Sequence, residues 1–114
     1  MRKKRTSGAF FLLLVLSDEI FERYALSRPK DAASATTAQR GLTFSLFGLS
    51  KQAALPQLKL AWTAVSGDAA RVEAALGRLE LIGDSLLSVN TPVMNGTRSL
   101  LAIGDGLRAQ ILER

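Results

Sequence analysis

The chain has 114 residues, a formal net charge of +5, and neither Cys nor His. A chain of that length is expected to form one domain with a modest core. The missing residue types exclude disulfides, thiolate metal sites and every catalytic triad that needs Cys or His.

The charge is unevenly placed. Residues 1–40 hold eight Lys/Arg against four Asp/Glu, and residues 41–114 hold seven against six. The basic excess is therefore mainly the cluster Arg2, Lys3, Lys4 and Arg5. It reads as a disordered basic tail over residues 1–8, ahead of a single helical domain over 9–114. No basic face accompanies the tail, so nucleic acid is disfavoured as a partner. Ala, Leu, Arg and Glu are common and aromatics few, which favours helix.

Ala9–Leu16 is an unbroken apolar run. Asp18, Glu19 and Glu22 follow where an export signal would need small residues, so a cleaved signal ranks last. The run is also too short to span a bilayer. Phe10, Leu13, Leu14, Ile20, Phe21 and Tyr24 recur at helical spacing and predict a core helix over about 9–26, ended by Pro29. The second-ranked reading is a peripheral anchor. In it Arg2, Lys3, Lys4 and Arg5 sit at lipid headgroups, with Phe10 and Phe11 dipped below them.

Pro29–Gly41 is poor in large apolar residues and reads as a flexible linker. Leu42–Leu49 alternates like a strand for a few residues. A lone strand has nothing in the chain to pair with, which leaves pairing with another chain or an apolar loop as the readings. Pro56 suits the first turn of a helix over about 57–65, with Leu58, Ala61, Trp62 and Val65 on one face. Ser66-Gly67-Asp68 is a stop and a restart.

Two more helices follow, one over about 69–89 and one beginning at Thr91-Pro92 or at Thr97. They carry an echo, L-x-x-I-G-D-x-L, at Leu79–Leu86 and Leu100–Leu107, offset by 21 residues. Three heptads keep both copies in phase, as in a coiled coil. A glycine inside a helix costs about 1 kcal/mol relative to Ala. Gly83 and Gly104 therefore imply that a neighbouring backbone comes close. Asp84 and Asp105 stand one residue off the seam, where Arg78, Arg98 or Arg108 can reach them. The turn signals between the copies predict a helical hairpin.

Ala75, Leu79, Ile82 and Leu86, with Gly83-Asp84 before the last, resemble the death-motif helix that apoptotic regulators of the Bcl family insert into one another's groove. The resemblance covers residues 75–86. It implies four apolar side chains filling pockets while Asp84 meets an arginine of the groove.

No nucleotide-binding loop, dinucleotide fingerprint or EF-hand loop is present. The carboxylates are dispersed and read as solvated faces. No catalytic, cofactor-binding or metal-ligating residue is identified, and no small-molecule substrate is expected. The expected architecture is an all-α bundle of three to four helices with a C-terminal helical hairpin. The expected role is non-enzymatic: association with another protein or with itself through apolar helix faces. The residues expected to carry it are Ala75, Leu79, Ile82, Gly83, Asp84 and Leu86, then Leu100, Ile103, Gly104, Asp105 and Leu107. The alternative is a small membrane-associated protein, and the expected location is cytoplasmic, at a membrane surface in that alternative.

Overall fold

A computed structural model describes residues 13–24, 27 and 33–114. The chain is mixed α/β, not all-α. Strands β1 (Leu14–Asp18), β2 (Leu42–Gly48) and β3 (Ala61–Gly67) form a sheet in the order β1-β2-β3. β1 runs parallel to β2, and β3 antiparallel to it. The helices are α1 (Leu49–Gln52), α2 (Ala69–Asp84) and α3 (Thr91–Leu112). Short 3-10 turns at Glu22–Tyr24, Ala35–Thr37 and Pro56–Leu58 complete the path.

Several expectations are corrected. The helix expected over 9–26 is a strand at Leu14–Asp18 and a 3-10 turn at Glu22–Tyr24; residues 9–12, 25 and 26 lie outside the described residues. A short continuous apolar run fits a buried helix or a strand equally well, and pairing with Leu42–Leu46 decides for the strand. The helix expected over 57–65 is a 3-10 turn followed by β3. Seven ladder positions against β2 outweigh the helical spacing of Leu58, Ala61, Trp62 and Val65. The strand character of Leu42–Leu49 is real, and its partners lie in this chain. With a sheet at the centre, the molecule is neither a helical bundle nor a coiled coil. α2 packs against β3 and α3 against α1.

Two glycines make one end of the sheet. Gly41 and Gly67 have φ of +73° and +128°, a region that side chains disfavour. A Cβ on either would strike backbone, that of Leu13 at Gly41 and that of Gly41 at Gly67. The close fit lets the Asp68 N–H donate to the Gly41 carbonyl at 3.0 Å, so the chain leaves β3 and enters α2 at once.

The sheet faces are unequal. Strand pairing puts Val15, Ser17, Thr43, Ser45, Phe47, Trp62, Ala64 and Ser66 on one face. Leu14, Leu16, Leu42, Phe44, Leu46 and Val65 share the other. The small and polar face is the deeper one: Thr43 is 3% exposed and Ser45 fully buried. The Ser45 hydroxyl has no hydrogen-bond partner among the described residues. Phe47 stacks on Trp62, with centroids 5.9 Å apart. On the aliphatic face Leu14 and Leu16 are 58% and 67% exposed.

Glu19 locks the crossover between the parallel strands. Its buried carboxylate accepts from the Ser34 hydroxyl at 2.6 Å, the Ala35 N–H at 2.7 Å and the Ser17 hydroxyl at 3.3 Å. The Ser66 hydroxyl donates to the Ala35 carbonyl at 3.1 Å and ties the same turn to β3. Three charge-assisted or neutral donors satisfy a carboxylate that would otherwise be costly to bury.

The second centre of packing is α1. Leu49 and Ala53 are fully buried, and α3 crosses them at Gly104. A Cβ on Gly104 would overlap the Cα of Ala53, so the two backbones touch. Gly83, its counterpart in the echo, has nothing within 4 Å of its would-be Cβ. Gly104→Leu should therefore destabilise the fold by about 1–3 kcal/mol or more through overpacking. Gly83→Ala should raise stability by up to about 1 kcal/mol through helix propensity. Thermal melts of the two variants check both, and a Gly104→Leu protein that melts like the parent would contradict the crossing.

Candidate functional site

The candidate site is the apolar surface that the two long helices leave uncovered. α2 begins after Asp68 and is amphipathic by period. Val72, the adjacent pair Ala75 and Leu76, then Leu79 and Ile82 recur every three residues or so along one stripe. Ala75 is buried and Val72 half-buried at the end packed on β3. Further along, Leu76 and Ile82 are exposed, Ile82 at 56%. The stripe thus starts on the sheet and runs off it. Leu81, on another side of the helix, is also exposed.

The helix stops at Asp84, where the Ser85 hydroxyl bonds back to the Ile82 carbonyl at 2.7 Å. Leu86 and Leu87 follow in the connector; Leu86 is 67% exposed and Leu87 completely so. The Asn90 side chain then accepts from the Val93 N–H at 3.3 Å and caps α3, with Pro92 in its first turn. Val93, Leu100 and Leu107 are half-buried; Met94, Ile103, Ile111 and Leu112 are exposed.

The two aspartates of the echo meet different surroundings. Asp84 bonds to none of the described residues. Asp105 accepts from Arg23 at 3.1 Å and from Arg108 at 2.5 Å. Arg108, whose side chain is largely buried, also donates to the Gln52 carbonyl at 2.7 Å. This cluster joins the turn after β1, the end of α1 and α3. Arg108 stands three residues from Asp105 and was legible as a partner; Arg23 carries no sequence signal linking it to α3. Lys51 lies over the Phe21 ring, 5.3 Å from its centroid, and adds a contact between the same two regions.

The structure therefore divides the residues singled out from sequence. Leu79, Ile82, Gly83, Asp84 and Leu86 are together on or just past the free end of α2. Ala75 is covered. Gly104 and Asp105 are spent on contacts with α1 and the turn after β1, and Leu100 and Leu107 are half-buried. Ile103 is exposed. For the death-motif resemblance, the first apolar position is buried and the fourth lies beyond the helix end. Arg2, Lys3, Lys4, Arg5, Phe10 and Phe11 lie outside the described residues. Sequence reasoning missed Leu14 and Leu16 as exposed strand residues, and it placed Glu19 on a solvated face.

A shallow, open cavity of about 290 Å³ lies beside Ala54, bounded by Leu107, Gln110, Ile111 and Arg114 of the last turns. Among the described residues no helix is long and apolar enough to cross a membrane. Comparison with protein-family models, with curated proteins and with solved structures finds no match.

These geometries separate the two aspartates experimentally. Asp84→Ala should leave stability within about 0.5 kcal/mol of the parent, as for an isolated surface residue. Asp105→Ala should cost up to about 1 kcal/mol, because both ion pairs are exposed on the carboxylate side. Chemical denaturation of the two single variants measures the difference.

Proposed function

We propose that this chain is a non-enzymatic interaction protein that associates, with another protein or with itself, through the apolar faces of α2 and α3. The observation that carries the reading is the α2 stripe. It is continuous in sequence, packed on β3 at one end and bare from Leu76 onward. Leu86 and Leu87, just past the helix end, add further exposed apolar side chains, and apolar surface of this kind marks interaction sites. A partner that covered Leu79, Ile82 and Leu86 would remove from water side chains worth roughly 1.5–3 kcal/mol each when fully buried.

The test is a double variant, Ile82→Arg with Leu86→Arg. Both residues are exposed, so its melting should stay within about 0.5 kcal/mol of the parent. Its association through this patch, read as a smaller assembly in sedimentation or as loss of a co-purifying protein, should be lost. A parent protein that stays monomeric at high concentration and co-purifies with nothing would sink the reading.

A second reading places the protein in the cytoplasm at a membrane surface, held by Arg2, Lys3, Lys4, Arg5, Phe10 and Phe11. Exposure of Leu13, Leu14 and Leu16 favours it, since these continue the same apolar run. Flotation with anionic vesicles tests it. Each basic residue changed to Ala should weaken binding by about 1 kcal/mol. Indifference to vesicle charge would rule it out.

A further inference from the structure

The sheet order leaves β1 at a margin, and β1 carries few of the devices that keep sheet edges from pairing. Leu14–Asp18 has no Pro, no Gly and no Lys, and its one charge is at its last residue. The phase of its backbone follows from two hydrogen bonds. The Leu13 carbonyl accepts from the Leu42 N–H at 2.9 Å, and the Glu19 N–H donates to the Leu46 carbonyl at 3.1 Å. In a parallel ladder, alternate residues of a strand turn both backbone groups to the same neighbour. Leu13, Val15, Ser17 and Glu19 therefore face β2. Leu14, Leu16 and Asp18 turn N–H and C=O outward, and no described residue pairs with them. The same residues point their side chains onto the aliphatic sheet face, where Leu14 and Leu16 are exposed.

We propose that this edge pairs antiparallel with β1 of a second copy of the chain, about a two-fold axis at Leu16. That register sets Leu16 opposite Leu16 of the second copy, and Leu14 opposite its Asp18 in both directions. Each of the three outward residues then exchanges both backbone groups with its opposite number, and none is left over. The two Leu16 side chains meet at the centre of one six-stranded sheet and extend a single aliphatic face across both copies. The two Asp18 carboxylates fall four residues apart along the strands, roughly 14 Å, beyond the ~8 Å screening length at physiological salt. An axis at Asp18 would set like charges directly opposite, which is destabilising. An axis at Leu14 would leave Leu16 and Asp18 unpaired within the two strands. A second copy thus satisfies this edge residue for residue, with its like charges held apart. The pairing uses neither α2 nor α3 and stands or falls separately from the helix-face reading.

The chain has no Cys, so a disulfide in a single-cysteine variant can only join two copies. Opposed residues of a hydrogen-bonded antiparallel pair have Cα atoms about 5.5 Å apart, within bridging range. The full chain carrying Leu16→Cys should form a covalent dimer under mild oxidation at least tenfold faster than Leu14→Cys or Val15→Cys. Equal rates at the three positions, or no covalent dimer, would overturn the pairing. Leu16→Pro provides a second arm. Its lost N–H points away from β2, so the protein should stay folded, while its self-association through this edge should vanish. In the parent, hydrogen exchange at Leu14, Leu16 and Asp18 should slow as protein concentration rises, with Val15 and Ser17 protected throughout. Exchange at the outward amides that ignores concentration would also overturn the proposal.

Discussion

The contact of the Gly104 backbone with the backbone of Ala53 is the constraint on which the placement of α3 depends. No side chain stands between the two, so α3 can lie directly on the short α1. Arg108 fixes the angle by reaching the Gln52 carbonyl, and Asp105 gathers Arg23 from the turn after β1. The anchoring uses one segment of a long helix. The remaining apolar side chains of α3 are set by that crossing, and several of them point to solvent.

The fold has little interior. Among the described residues, the buried hydrophobic side chains are Leu49, Ala53 and Ala75, and the deepest sheet positions are Thr43 and Ser45. With a shortest principal extent of only 16 Å, the molecule is thin, and a thin molecule cannot enclose its aliphatics. Polar bonding compensates in part, with Glu19 satisfying a turn that crosses from β1 toward β3. Many apolar side chains of α2, the connector and β1 are exposed among the described residues. That imbalance is what makes association the natural reading of this surface.

Much of the helical part was legible in the sequence. α2 and α3 are long and periodic, and their ends carry recognisable signals: Gly67-Asp68 before α2, and Asn90 with Pro92 at the start of α3. The sheet was not legible, for a local reason and a non-local one. Leu13 to Leu16 is apolar without alternation, so its period cannot tell helix from strand. β3 mixes small residues with Trp62 and Val65, and their spacing imitates a helix face by coincidence. What decides both is pairing with β2, and register between distant segments leaves no local mark. The echo taught half a lesson. A glycine in a helix did mark a close backbone approach at Gly104, but the neighbour was Ala53 rather than the other copy, and Gly83 faces open space. Of the candidate site, the α2 stripe was readable from period alone. The consumption of Asp105 by Arg23 was not.

The connection pattern also bears on the order in which the sheet assembles. β2, α1 and β3 are contiguous, so their antiparallel pairing closes only the short stretch from Leu49 to Leu60. β1 reaches its parallel position only after the chain from Glu19 to Gly41 has folded back, with the Glu19 bonds to Ser34 and Ala35 in place. Closing the longer loop costs more entropy before any contact returns it. Doubling a loop costs only about 0.6 kcal/mol, so the bias is small, but it favours β2–β3 pairing ahead of β1 joining. Among the described strands, β1 is thus the one joined to the rest of the sheet across the longest stretch of chain.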